Sequence, residues 1–274
     1  MRSTLFSLVL LAAPMALFSG CVDSPDTTDV DDEDAPEYRV MGGGTGSQGH
    51  NGLDFAPYAL FDTALGQAMK LPLVVPGTDT VSPEVANLLL VPYAGRATFE
   101  YAMYCALPEK MTVYWNGLKY EGLGHVAKAD KWLQGPLPEP VQDDVYACMA
   151  AHVNSIDDIN ILLQGAHVNP DEATHEDFDV VEAIWYAKQN VDDVPLYVGI
   201  PLEPLQKKCG GDPAIALAHR FCGQNLLACE LKEGNIANCE HDKADPDIWT
   251  CEGIPAIQTR LRLKDFETFY NFCQ

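Results

Sequence analysis

Apolar residues recur along this chain in two rhythms, separated by proline, glycine and acid clusters. A helical spacing places Leu60, Phe61, Ala64, Leu65 and Ala68 on one stripe of Ala59–Met69, and Thr98, Tyr101, Ala102 and Cys105 on one stripe of Ala97–Leu107, which Pro108 stops. Between them, Leu71 to Pro92 is apolar but cut by Pro72, Pro76, Pro83 and Pro92, and Ser82-Pro83-Glu84 reads as a capped helix start. Met111–Glu121 predicts a hairpin about Asn116-Gly117, the favoured two-residue turn, with Trp115 opposite Leu118 and Val113 opposite Tyr120. After the proline-rich loop Gly135–Pro140, a second helix over Asp143–Asn154 places acids in its first turn and Val145, Cys148, Met149 and His152 on one stripe.

Further on, Ile159, Ile161 and Leu163 alternate and predict a strand over Asp158–Gly165. Asp177 and Asp179 look like the acidic start of a helix over Val180–Asn190, with Val181, Ile184 and Trp185 inward. Asp212–Phe221 predicts another helix, and Cys222–Cys251 a loop-rich, cross-linked segment. The cleanest alternation is Ile257–Lys264. Ile257, Thr259, Leu261 and Leu263 face one way, and Gln258, Arg260, Arg262 and Lys264 the other. The expected fold is α+β: an antiparallel sheet with packed helices and a disulfide-rich C-terminal subregion. Residues 53–200 form the α+β body, and 201–274 the cysteine-rich part of the same globular unit.

The first twenty residues do not belong to that body. Arg2 supplies a short basic start, Leu5 to Phe18 an apolar run too short to span a bilayer, and Ser19-Gly20 a small-residue cleavage site. Cys21 follows directly. Leu17-Phe18-Ser19-Gly20-Cys21 resembles the lipobox of bacterial lipoproteins, with Phe18 where leucine is usual. The resemblance implies acylation of Cys21, palmitate included, and a membrane attachment through lipid. An ordinary secreted protein cut nearby is the alternative. Val22 after the cysteine, by resemblance to the enterobacterial sorting rule, points to the outer membrane, on its periplasmic or surface-exposed face. Residues 21–52 read as a lipidated tether, acidic to Glu37 and then glycine-rich, which buries too little apolar surface to fold. Its Gly44-Thr45-Gly46-Ser47-Gln48-Gly49 is formally a dinucleotide motif, but a charged spacer precedes it and Asn51-Gly52 follows, so it reads as linker.

Charge narrows the partners. The chain holds 17 basic and 40 acidic residues, and removing the signal takes away Arg2 and no acid. Such an excess repels nucleic acid and anionic head groups, so nucleic acid is excluded and a protein or other cell-envelope partner is expected. Of nine cysteines, a lipidated Cys21 leaves Cys105, Cys148, Cys209, Cys222, Cys229, Cys239, Cys251 and Cys273, an even number suited to disulfides in an exported chain. No C-x-x-C occurs, which removes haem attachment, thioredoxin-like exchange and common zinc ribbons. Cys105 and Cys148 each sit on a semi-apolar helix stripe, so the expectation is two packed helices bridged Cys105 to Cys148. A metal site is the alternative there, since Cys148 and His152 lie one turn apart and Cys105 could join them.

The stretch most suggestive of chemistry is His167–Asp179. His175-Glu176 begins like H-E-x-x-H but ends on Asp179. His167, His175, Glu176 and Asp179 are the candidate ligands, and a divalent cation the one cofactor they suggest; acids capping a helix are the ordinary alternative. Asp242, Asp245 and Asp247 suggest calcium, but Pro246 and the spacing do not fit a calcium loop. The basic row of the last strand is either a solvated face matched to nearby acids or an anion or partner site. Ser24, Ser47, Ser82 and Ser155 are the serines left after the signal, and none lies in G-x-S-x-G. Glu100, Glu121 and Glu182 could serve as paired carboxylates only if the fold brings them together.

The order of features over Ala97–Lys264 resembles a group of cysteine-containing bacterial surface lipoproteins. Tyr104-Cys105-Ala106-Leu107, Ala147-Cys148-Met149-Ala150-Ala151-His152-Val153-Asn154 and Trp249-Thr250-Cys251-Glu252-Gly253 carry the resemblance. It implies an anchored, cross-linked body and no particular activity. The expected function is therefore a lipid-anchored, disulfide-stabilised envelope module that binds or supports. The alternative is an envelope hydrolase or metal-binding protein using His167–Asp179.

Overall fold

The structure, a computed structural model, describes residues 47–50, 52–156, 159–169, 177–189, 194–224, 226, 229 and 231–273. The chain divides into Met1–Val40, which lies outside the described residues, and Met41–Gln274. The second part is α+β.

Its first element is the four-residue strand β1 (Ser47–His50), within the segment expected as tether. The body thus begins before Leu53. Three helices follow: α1 (Phe55–Met69), α2 (Pro83–Leu89) and α3 (Gly95–Ala106). The Ser82 hydroxyl caps α2 by accepting from the Val85 amide, as its serine-proline start requires. The hairpin β2 (Thr112–Trp115) and β3 (Leu118–Glu121) has the expected register, Trp115 opposite Leu118 and Val113 opposite Tyr120. Asn116 and Gly117 hold positive φ of 48° and 80°, the geometry for which an Asn-Gly turn is selected.

Helix α4 (Glu139–His152) is the centre of the body. Eleven of its fourteen residues are buried, because it lies between the sheet and α3 rather than on a surface. Its surroundings are apolar on nearly every side, so it lacks the single stripe expected of a surface helix. Tyr146 on α4 donates to the Asp62 carbonyl of α1 at 2.9 Å.

The main sheet is assembled from β4 (Asn160–Gln164), β5 (Val180–Gln189), β6 (Pro195–Pro201) and, after α5 (Glu203–Cys209) and α6 (Pro213–Cys222), the short β7 (Lys232–Glu233). Strands β8 (Cys239–His241), β9 (Trp249–Cys251) and β10 (Ile254–Leu261) and helix α7 (Leu263–Phe269) complete the chain. The order is β1-β4-β10-β5-β6-β7, with β9 pairing β10 and β8. Every pairing is antiparallel except β6 with β7. The hairpin β8–β9 folds over the far face of the sheet, where Cys251 and Ala256 join Ile184, Tyr186, Val198 and Ile200 in a second apolar cluster.

Two expectations are corrected here. Val180–Gln189 is a strand, not a helix. Val181, Ile184 and Trp185 fit a helical spacing, but Ala183, Tyr186 and Ala187 are buried as well, so the run is apolar on both faces and suits a covered central strand. The final strand ends at Leu261, and Leu263 opens α7 instead of continuing the alternation. The Asp179 carboxylate accepts from the Leu263 amide at 2.9 Å, so the acid expected to start one helix steadies another.

A buried ion pair locks these layers together. Glu182 on β5 and Arg220 on α6 are both fully buried, with Nε 2.8 Å from the carboxylate Oε1. The Nε–H is not aimed at that oxygen, so this contact is an ionic one. The guanidinium's aligned bonds go to the carbonyls of Val153, at 3.0 Å, and Ala151, at 2.7 Å. Glu182 accepts from the Tyr270 hydroxyl at 2.6 Å and the Thr259 hydroxyl at 2.7 Å, and the Trp185 ring lies 4.6 Å beneath the guanidinium. Removing one partner leaves a buried charge, which costs about 3–5 kcal/mol. Urea unfolding of Arg220→Met is expected to show a loss of that size. Arg220→Met combined with Glu182→Gln is expected to recover a large part of it, and additive losses in the double variant would contradict this account.

Candidate functional site

The polar features that the ion pair does not explain lie along α4 and the segments packed on it. Asp144, in the N-terminal half of α4, is buried, and its Oδ2 lies 2.8 Å from Nδ1 of His167. His167 follows β4 in a loop fixed by backbone bonds. The Ala127 amide donates to the His167 carbonyl at 2.7 Å, Val126 bridges Val168, and the Asn169 amide donates to the His125 carbonyl at 2.9 Å. The Asn169 side chain adds a bond to the Gly124 carbonyl at 2.6 Å. The imidazole is therefore held at its Nδ1 edge while 38% of the side chain remains exposed.

Burial pushes the Asp144 carboxyl above its ordinary range, and the hydrogen bond and charge of His167 and the charge of Lys128 oppose that shift. Lys128 stands in the left-handed region at φ 68°. It lines a polar hollow of about 270 Å³ with Asp130, Asn169, Val126, Ala106 and Pro108. A carboxylate that fixes an imidazole by one nitrogen presets its tautomer and directs the other nitrogen outward, the arrangement a general base needs. The described serines are Ser47 on β1, Ser82 and Ser155, and none of them lines this hollow. Ser82 donates to the Pro72 carbonyl, and Ser155 to the Phe221 carbonyl.

Deeper along α4, Cys148 is joined to Cys105 of α3 by an S–S bond of 2.02 Å. The imidazole of His152, one turn beyond Cys148, is fully buried, and its nearest ligand atom lies within 4.8 Å of both sulfurs. His125 is buried too, with its ring centroid 5.0 Å from that of His152. Burial holds the His125 pKa well below the ordinary imidazole value, and the charge of His152 adds to the shift. Among the described residues, Cys105, Cys148 and His152 are the one group of three potential metal ligands.

The other sequence candidates are dispersed. Of the four candidate ligands in His167–Asp179, His167 pairs with Asp144 and Asp179 steadies α7, while His175 and Glu176 lie outside the described residues. Asp242 accepts from the Ala244 amide and Asp245 from the Asp247 amide, and Asp247 is held by Gln258, Gln164 and Arg260. Arg260, with its Nε on the Phe178 carbonyl at 2.8 Å and Nη1 3.4 Å from Asp247, is matched within the fold and not open to an anion. Glu100, Glu121 and Glu182 have separate partners in Tyr104, Lys119 and Arg220. The remaining six cysteines pair as Cys209–Cys273, Cys222–Cys229 and Cys239–Cys251. Cys21 lies outside the described residues.

Asp144 and His125 carry no signal in the sequence. Asp144 reads as one of several first-turn acids, and His125 stands in an irregular segment between glycine and valine. No protein-family model, curated protein or solved structure matches the chain.

The raised Asp144 carboxyl has a definite sign in stability. Folded Asp144 binds its proton more tightly than the unfolded chain does, so the fold loses stability from this group as pH rises from the ordinary carboxylate range through the raised folded value. Asp144→Asn removes that loss. The urea midpoints of the variant and the parent are expected to lie closest in acid and to separate in favour of the variant towards neutral pH. A difference independent of pH would contradict the assignment.

Proposed function

We propose that this protein is a lipid-anchored module of a bacterial cell envelope, held to the membrane through Cys21 and acting by binding a partner. The observation that carries the reading is the cysteine pairing. All eight cysteines beyond Cys21 are joined within the folded body, and Cys21 is left over for acylation. Four disulfides suit a body folded in an oxidising compartment. Among the described residues no helix is long and apolar enough to cross a membrane, and an acylated cysteine supplies attachment without one. The acidic excess favours a basic protein or a cation-bearing envelope component as the partner, with nucleic acid disfavoured. The outer membrane is the proposed location, following Val22.

A second reading is supported by the Asp144–His167 pair, an imidazole oriented by a buried carboxyl, which suits water activation by an envelope hydrolase. Loss of hydrolysis in His167→Gln, across a panel of ester and amide substrates that the parent cleaves, would favour it. A parent that turns over nothing in the panel favours the binding module.

The anchor is tested by expressing the full chain in a bacterial host fed an alkyne-tagged palmitate. The parent is expected to take the label and partition with detergent, and Cys21→Ser to do neither. Equal labelling of both would overturn the anchor. Intact mass before and after reduction is expected to differ by eight hydrogens, and a smaller difference would overturn the cross-linked body.

A further inference from the structure

The cluster at the α3–α4 contact has a chemistry that its disulfide only partly uses. Two sulfurs and the His152 imidazole converge within 4.8 Å, and all three residues are fully buried. Cys148 and His152 project from one face of α4 a single turn apart, the spacing with which a helix offers two ligands to one ion. Cys105 meets them from α3, and a second imidazole, His125, lies against His152. The chain leads His125 there through the Val126 amide, which donates to the Cys105 carbonyl at 2.9 Å. We propose that, when the Cys105–Cys148 disulfide is reduced, Cys105, Cys148 and His152 bind one zinc ion.

Charge and geometry both favour this ion. Two thiolates balance its double charge, so the loaded site is neutral overall and suited to an apolar interior. Zinc takes sulfur at about 2.3 Å and imidazole nitrogen at about 2.0–2.1 Å in a tetrahedron, which sets its two sulfurs apart by about 3.8 Å. The Cα atoms of Cys105 and Cys148 are 6.0 Å apart, enough for the sulfurs to separate by side-chain rotation without moving either helix. The chemistry balances in two steps. A dithiol reductant gives two electrons and two protons to the S–S bond and closes its own disulfide, leaving two protein thiols. Zinc then displaces one proton from each thiol as the two Zn–S bonds form. The disulfide and the metal centre are thus alternative occupants of one position. The inference does not depend on the lipid anchor.

The test uses the full mature chain with Cys21→Ser, isolated oxidised and then reduced anaerobically with a phosphine, which is converted to its oxide by water oxygen. Zinc is added and excess removed before native mass spectrometry. The oxidised protein is expected to retain no zinc and the reduced protein one ion. X-ray absorption at the zinc edge is expected to show two sulfurs together with imidazole nitrogen. His152→Ala is expected to weaken zinc by about tenfold or more, and His241→Ala, at an exposed histidine, to leave it unchanged. No retained zinc after reduction overturns the proposal, as does a sulfur-only shell, which would place the ion on the other six cysteines. The scattering shell is read on the unaltered site, so a folding failure of His152→Ala would not remove the test. Zinc already present in the oxidised isolate would overturn the redox gating and the Cys105–Cys148 disulfide together, a result separate from loss of the lipid label.

Discussion

The contact of Arg220 with Glu182 is the constraint around which the body is arranged. Arg220 belongs to α6 and Glu182 to β5, yet their satisfaction needs three more elements. The end of α4 supplies carbonyls to the guanidinium, at the pole of that helix that favours a cation. Strand β10 supplies the Thr259 hydroxyl and the turn after α7 the Tyr270 hydroxyl, both to the carboxylate. The Trp185 indole covers the guanidinium and donates to the same Thr259 oxygen at 2.9 Å. Buried ion pairs are seldom large sources of stability compared with apolar replacements. What this one does is penalise any arrangement in which β5, β10, α4, α6 and the C-terminal segment are not in register, since each misplacement strands a polar group in the interior.

Helix α4 transmits that constraint to the features of chemical interest. It carries Asp144 towards one end and Cys148 and His152 towards the other, and its position between the sheet and α3 buries all three. The same burial gives the two regions opposite characters. At Asp144 an exposed imidazole connects the buried carboxyl to solvent. At Cys148 the neighbours are a sulfur and imidazoles, all of them buried. A single rigid element therefore sets both the orientation of His167 and the closeness of the thiol–imidazole cluster.

The parts of the fold that local chemistry dictates were legible in the sequence. Asn116-Gly117 specified both turn and register, Ser82-Pro83 a capped helix start, and helical spacing placed Cys105 and Cys148 on the two helices that their bridge joins, although α4 is buried on nearly every side and not along one stripe. The misreading of β5 arose because a strand covered on both faces lacks alternation, and its run of apolar residues satisfies a helical spacing by chance. Helix α7 was hidden because Leu263 continues the alternation of β10 for one residue past its end. The site was less legible than the fold. Asp144 and His167 are 23 positions apart and meet only in the folded chain, and the partners of the Arg220–Glu182 pair are spread from Ala151 to Tyr270. No short-range pattern encodes such meetings.

The C-terminal cross-links are nested. Cys209–Cys273 spans 64 residues and encloses both Cys222–Cys229 and Cys239–Cys251. A single peptide-bond cleavage anywhere from Gly210 to Phe272 therefore cannot release a fragment: the outer bridge keeps both new ends attached to the body. Where proteases are abundant, the exposed loop about Lys243 could be nicked and the molecule would remain one covalent piece, its damage invisible until its disulfides are reduced.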